Sequence, residues 1–203
     1  DRLSFVIYKY FPFGGQQRDF LSVVTECINR GYEVQVFVMS WEGQIPDGIK
    51  LKKFPPEKHG HLRKLRHFSS RVHLALASQK RHLVIGFNKI PALDIYFAVD
   101  PCFAEKAQEQ RGRYYKFTPR YRHFINYERQ VFSANSDTDV FYLTEHQKES
   151  FIRFYPEFKG HFHFLPPGLT RDRRVDDTQS KEVRLKGRFA DKVRTSPVSY
   201  THL

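Results

Sequence analysis

The chain has 203 residues, enough for one α/β domain with a sizeable hydrophobic core. Its 34 Lys and Arg against 22 Asp and Glu give a net charge of +12, an excess that points to an anionic partner or surface. No stretch reaches the roughly 20 apolar residues of a membrane-spanning helix, no charged-then-apolar leader is read at the start, and two cysteines, Cys27 and Cys102, suit a reducing compartment and not a disulfide framework.

Leu3–Tyr8 is a short apolar run that reads as a buried strand. The paired Gly14 and Gly15 follow, where a tight turn brings backbone close to a ligand. Asp19–Asn29 then places Phe20, Val23, Val24 and Cys27 at helical spacing, with Gly31 as a stop. A helix N-terminus behind a glycine pair offers N–H groups to a phosphate, although the dinucleotide fingerprint is missing its third glycine. Glu33–Met39 and Ile49–Phe54 read as the second and third strands, and the basic segment His59–Arg71 as a surface helix. Its histidines, like His161 and His163, lack zinc-ligand spacing and read as ordinary surface residues.

Leu83–Phe87 and Ile95–Val99 are short apolar runs of the kind buried in parallel sheets. Val140–Leu143 and His163–Leu165 add two more, with a helix over Glu145–Phe154 between them. Strands alternating with helices predict a Rossmann-like, doubly wound, mainly parallel sheet. After Gly168 the composition turns polar and charged, as at a domain edge.

Between these elements lies Arg111–Arg129, where Arg111, Arg113, Lys116, Arg120, Arg122 and Arg129 face a single acid, Glu128. Tyr114, Tyr115, Phe117, Tyr121, Phe124 and Tyr127 are interleaved with them, and from Pro119 the run reads as helical. Basic side chains are drawn to anionic lipid, and aromatic rings suit the headgroup region. The same residues would also serve a single-stranded nucleic acid, or a plain solvated face whose aromatics belong to the core.

Five strings together resemble one family. They are Tyr8-Lys-Tyr-Phe-Pro-Phe-Gly-Gly-Gln-Gln-Arg-Asp-Phe20, Ser40-Trp-Glu-Gly43, Gly86-Phe-Asn-Lys-Ile-Pro-Ala-Leu-Asp94, Ala98-Val-Asp-Pro-Cys-Phe-Ala-Glu-Lys106 and Phe164-Leu-Pro-Pro-Gly168. In this order they resemble the N-terminal half of the lipopolysaccharide-core glucosyltransferases, that is, UDP-glucose:(heptosyl)lipopolysaccharide α-1,3-glucosyltransferases, retaining enzymes of glycosyltransferase family 4. The likeness runs from about Leu3 to about Arg174. It implies a GT-B transferase in which a second domain holds most of the UDP-glucose donor and this half supplies the acceptor side. It also implies no cofactor beyond that donor substrate, a lipopolysaccharide inner-core heptose as acceptor, and a place on the cytoplasmic face of the inner membrane. With an acceptor lipid in that membrane and no nucleic-acid motif in the sequence, the basic stretch is assigned to the anionic membrane surface through Arg111, Arg113, Tyr114, Tyr115, Lys116, Phe117, Arg120, Tyr121 and Arg122.

By position, the resemblance makes Asp100 the first acceptor-side candidate and Asp19 the second, as carboxylates that orient hydroxyls or handle a proton. The bland readings stay open: Asp19 in a first helical turn complements the helix dipole, and Asp100 before Pro101 serves as a cap or turn residue. Gly14, Gly15 and Arg173 are the donor and phosphate candidates, while Asn88 and Lys89 line the cleft. No metal site is expected. Residues 1–170 are expected to form the acceptor-side domain, 171–197 a linker toward a missing donor domain, with the natural start upstream of Asp1. Val198–Leu203 matches one reading frame of a transposase mosaic-end adapter and is expected to be a sequencing artefact; a native stop codon directly after Leu203 would refute this.

Overall fold

The computed structural model describes residues 1–56 and 60–165. The linker and adapter assignments, Arg173 and the Pro-Pro-Gly element lie outside them. The strands are β1 (Arg2–Val6), β2 (Lys9–Tyr10), β3 (Glu33–Val38), β4 (Ser40–Trp41), β5 (Ile49–Lys53), β6 (Leu83–Gly86), β7 (Ile95–Ala98), β8 (Asp139–Tyr142) and β9 (Phe162–Phe164). The helices are α1 (Gly15–Asn29), α2 (His61–Ala77), α3 (Phe103–Gln110), α4 (Pro119–Val131) and α5 (Glu145–Phe154), with a 3₁₀ segment at Arg113–Phe117. Seven strands form one parallel sheet in the order β5-β3-β1-β6-β7-β8-β9, and β2 and β4 form a small parallel pair beside it.

Burial explains the strand sequences. β6, β7 and β8 are buried along their whole length, so they read as unbroken apolar runs, as strands covered on both faces must. β5 sits at the edge with its lysines exposed, a charge pattern that discourages pairing with another chain. Rings also stack across neighbouring strands: Phe87 on Phe97 at 4.6 Å, and Phe97 on Phe141 at 5.1 Å. α1 ends as the sequence predicts. Gly31 takes φ +83° and donates to the Ile28 carbonyl, while the Tyr32 N–H reaches Cys27, the paired bonds of a glycine-terminated helix.

Three features depart from the sequence reading. α1 begins at Gly15, so Asp19 lies past the first turn, which holds no acidic residue, and the dipole role for Asp19 falls away. α2 is not merely a surface helix, because Leu65, Phe68 and Val72 are buried in the core. His161 is exposed, as read, whereas His163 is half-buried and not a plain surface residue; both rings reach the buried Asp139 carboxylate, at 3.5 and 3.3 Å. At the far side of the core, α3 and α5 are clasped through the buried Glu105, which accepts a hydrogen bond from Ser150 (2.7 Å) and pairs with Arg153.

His123 on α4 is buried, and its burial, with Arg66 and His61 of α2 nearby, pulls its ordinary pKa of 6.5 down to about 4. A histidine held neutral in the fold takes up its proton in the unfolded chain first, so folding stability falls as pH drops through that interval. Denaturation midpoints should therefore decline between pH 6.5 and about 4, and His123→Gln should flatten that segment of the curve. An unchanged slope in the variant would contradict the assignment.

Candidate functional site

The C-terminal ends of β1, β6 and β7 open onto a cavity of about 270 Å³. Tyr8 follows β1, Asn88 and Lys89 follow β6, and Asp100 and Pro101 follow β7. Phe103, Lys106 and Ala107 of α3, Arg111, Tyr115 of the 3₁₀ segment, and Arg120 and Phe124 of α4 complete the wall. The two central strands β1 and β6 are where the chain changes direction across the sheet, and open α/β sheets hold ligands at this switch point. Asn88 ties the two strand ends together, since its Oδ1 accepts the Tyr8 N–H at 2.8 Å.

The loop carrying Asp100 is fixed from three sides. Lys89 Nζ donates to the Pro101 carbonyl at 2.7 Å. Gln147 on α5 donates to the Ala98 and Asp100 carbonyls at 2.5 and 2.9 Å. Glu128, wholly buried on α4, accepts the Phe103 and Ala104 N–H groups at 2.6 and 2.9 Å, and so caps α3 in place of a local side chain. The same carboxylate pairs with Lys89 Nζ at 2.5 Å and accepts the Tyr155 hydroxyl at 2.7 Å. Cys102 points its thiol at it from 3.6 Å, and burial together with that negative neighbour pushes the thiol up to about 12. Cys102 is thus a packed neutral thiol and no nucleophile at neutral pH.

With α3 capped by Glu128, Asp100 is not a cap. It is exposed, and no hydrogen bond or ion pair engages its carboxylate among the described residues. Facing it, Tyr8 is held as a neutral donor: burial pushes its hydroxyl far above the ordinary range, with Tyr127 and the Asp100 charge adding. An unengaged carboxylate, an amide and a neutral phenol at one cavity form a set that suits the hydroxyls of a sugar.

The structure thus gathers Asn88, Lys89, Asp100, Arg111, Tyr115 and Arg120 around one cavity. It leaves the others elsewhere. Asp19 is exposed on α1 and takes no part in the cavity wall. Gly14 and Gly15 are also outside the wall, but their loop is anchored beside it, because Gln16 donates to the Phe87 carbonyl at 2.6 Å. A Cβ on Gly14 would meet the amide end of the Gln17 side chain at 1.8 Å, so that side chain would have to move, whereas a Cβ on Gly15 meets nothing within 4 Å. Lys116 and Tyr121 line a second, smaller cavity of about 190 Å³ with Arg129 and Tyr155. Tyr114 and Phe117 stand out into solvent at 73% and 69% exposure. The motifs also meet one another: Tyr10 stacks on Trp41 at 3.9 Å, joining the glycine-loop string to Ser40–Gly43.

No protein-family model matches the chain. The lipopolysaccharide glucosyltransferase WaaG of Escherichia coli (strain K12) is 38% identical over 183 residues, which is 89% of this chain and 49% of that protein. The chain resembles the N-terminal half of the lipopolysaccharide-core glucosyltransferases. The crystal structure of WaaG, a glycosyltransferase involved in lipopolysaccharide biosynthesis, superposes with a TM-score of 0.80 at 35% identity, over 91% of this chain and 51% of that one. A structure of TcCGT1 in complex with UDP matches in fold alone, with a TM-score of 0.54 at 10% identity over 91% of this chain and 55% of that one. The chain spans about half the length of the relatives it matches, and its parallel sheet has the Rossmann-like fold seen in one half of GT-B glycosyltransferase structures.

Glu128, Lys106 and Gln147 were not singled out as site residues from the sequence. The roles of Glu128 and Gln147 come from contacts between elements far apart in the chain, Lys106 is brought to the cavity wall by the fold, and only the unusual lone acid of the basic stretch hinted at Glu128. Removing one partner of a buried ion pair strands the other charge and costs roughly 3–5 kcal/mol. Glu128→Ala should therefore lose stability on that scale in urea denaturation, and Glu128→Gln, which keeps acceptor capacity for the α3 N–H groups, should lose less. A loss from Glu128→Ala below about 1 kcal/mol would show that the pair is not what holds this corner.

Proposed function

We propose that this chain is the acceptor-side half of a retaining glycosyltransferase that moves glucose from UDP-glucose to an inner-core heptose of lipopolysaccharide. The observation that carries the reading is Asp100, an unengaged carboxylate at the switch-point cavity of a chain 38% identical to a lipopolysaccharide glucosyltransferase. In this reading the acceptor enters the cavity and its attacking hydroxyl donates to Asp100, with Asn88 and the Tyr8 hydroxyl orienting the ring. Aligning that hydroxyl makes the step effectively unimolecular, the largest contribution this half can offer. As the glycosyl bond to the diphosphate breaks and releases UDP, the bond to the acceptor oxygen forms and the hydroxyl proton passes to the Asp100 carboxylate. The donor occupies mainly a second domain. The Gly14-Gly15 loop and Arg173 are assigned to its phosphates, and the open space over Gly15 supports that role for the loop.

The test is activity of the complete gene product on a heptose-bearing acceptor. Asp100→Asn keeps the volume and removes the charge. It should lower kcat by about a hundredfold or more, within the range of about 10²–10⁴ given by a positioned acid–base group, with an unchanged melting temperature. Wild-type kcat in a well-folded Asp100→Asn enzyme would remove the residue from the reaction.

The exposed basic and aromatic face is assigned to the cytoplasmic surface of the inner membrane, where the acceptor lipid lies. No helix among the described residues is long and apolar enough to cross a membrane. Instead Tyr114 and Phe117 present rings to solvent beside the exposed Arg113, Lys116 and Arg122. Aromatic rings with adjacent cations fit an interface carrying anionic lipid. Arg113→Glu combined with Arg122→Glu should release the protein from anionic vesicles, high salt should do the same, and Arg63→Glu on α2 should have little effect. Tight retention of oligonucleotide without vesicle binding would favour a nucleic-acid surface instead.

A further inference from the structure

We propose that the cleft selects an anionic glycan, with its hydroxyls toward Asp100 and a phosphate or carboxylate group held by Lys106, Arg111 and Arg120; the inference rests on the acceptor reading above. Four cations line the cavity, and their situations differ. Lys89 is neutralised by the buried Glu128. Lys106, Arg111 and Arg120 are exposed, and none makes an ion pair among the described residues. Two of them are nevertheless directed by rings. The Arg111 guanidinium lies over Tyr115 at 5.4 Å and the Arg120 guanidinium over Phe124 at 5.3 Å, and both rings line the same cavity. Stacking on an aromatic face orients a guanidinium without cancelling its charge.

The charges in the wall come from different elements. Asp100 follows β7, while the three cations come from α3, its C-terminal boundary and the start of α4. An anion beside Asp100 would be repelled, and a neutral glycan would leave three cations without partners. A ligand with hydroxyls at one end and an anionic group at the other satisfies both halves. Arg111 and Arg120, assigned from sequence to the membrane with their neighbours, thereby separate from Arg113 and Arg122, which are absent from the wall. A guanidinium suits phosphate and carboxylate alike through its paired N–H donors.

The experiment is calorimetric titration of the complete gene product, at low ionic strength, with a heptose disaccharide that is either neutral or carries one phosphate monoester. The phosphorylated glycan should bind at least tenfold more tightly. Arg111→Glu, Arg120→Glu or Lys106→Glu should remove that advantage while leaving the neutral glycan within about twofold, and Arg63→Glu should change neither. Melting temperatures equal to wild type would confirm that the variants are folded, and the milder Arg120→Gln should show the same trend. Equal affinity for the two glycans would overturn the inference and leave the acceptor reading intact. Failure of both glycans to bind would overturn the acceptor reading itself. Inorganic phosphate binding as tightly as the phosphorylated glycan would give the cations to a free anion. Loss of anionic-vesicle binding in Arg120→Glu, with phosphorylated-glycan binding unchanged, would give them to a lipid headgroup. Either of these last results would also overturn the proposal.

Discussion

The buried pair between Glu128 and Lys89 is the constraint on which the rest of the site depends. A wholly buried carboxylate is tolerated only when its acceptor capacity is filled, and Glu128 meets that condition with one ammonium, two backbone N–H groups, a phenol and a thiol. Those partners come from three separate places, the loop after β6, the start of α3 and the segment after α5, and meet Glu128 on α4. One side chain therefore sets where α3 begins and, through Lys89 and the Pro101 carbonyl, where the Asp100 loop lies. Because Asp100 is relieved of any capping duty, its carboxylate is left for a ligand. The same burial has an electrostatic consequence outside. The single acid of the basic stretch is withdrawn from the surface, so the exposed arginines around it keep their full field.

Sheet topology supplies the second half of the arrangement. With β1 and β6 adjacent and successive strands running outward on either side, the loops after them diverge and leave a crevice between. Tyr8 and Asn88 close its floor by a hydrogen bond across the two strand ends. The glycine loop rises next to that floor, pinned by Gln16 to Phe87 and supported from behind by the Tyr10–Trp41 stack.

Much of the fold was legible because burial leaves a strong mark on short strands. The apolar runs at Leu83 and Ile95, and the helix over Glu145–Phe154, appear within a residue or so of their expected bounds. α3 was not legible. Its N-cap, Cys102, offers no side-chain bond, and the capping group lies 26 residues further along at Glu128. The start of α1 was misplaced for a related reason, since Gly14 gives no side-chain cap and nothing in Gly15–Arg18 announces a helix. In the site, Asp100, Asn88 and Lys89 could be named because they fall in strings that carry a family resemblance. Asp19 falls in such a string too, but lies outside the cavity wall. Gln147 acts through tertiary contacts that no local pattern encodes.

The central claim is that a sugar acceptor binds at the C-terminal ends of β1, β6 and β7. Amide chemical-shift mapping during titration with a heptose-containing oligosaccharide tests it most directly. The account predicts the largest changes at Tyr8, Asn88, Lys89 and Phe103, the backbone positions around Asp100, with α2 and the β5 edge silent. Changes centred on β8 and β9 or on α2, with the Asn88 and Phe103 amides unmoved, would contradict it.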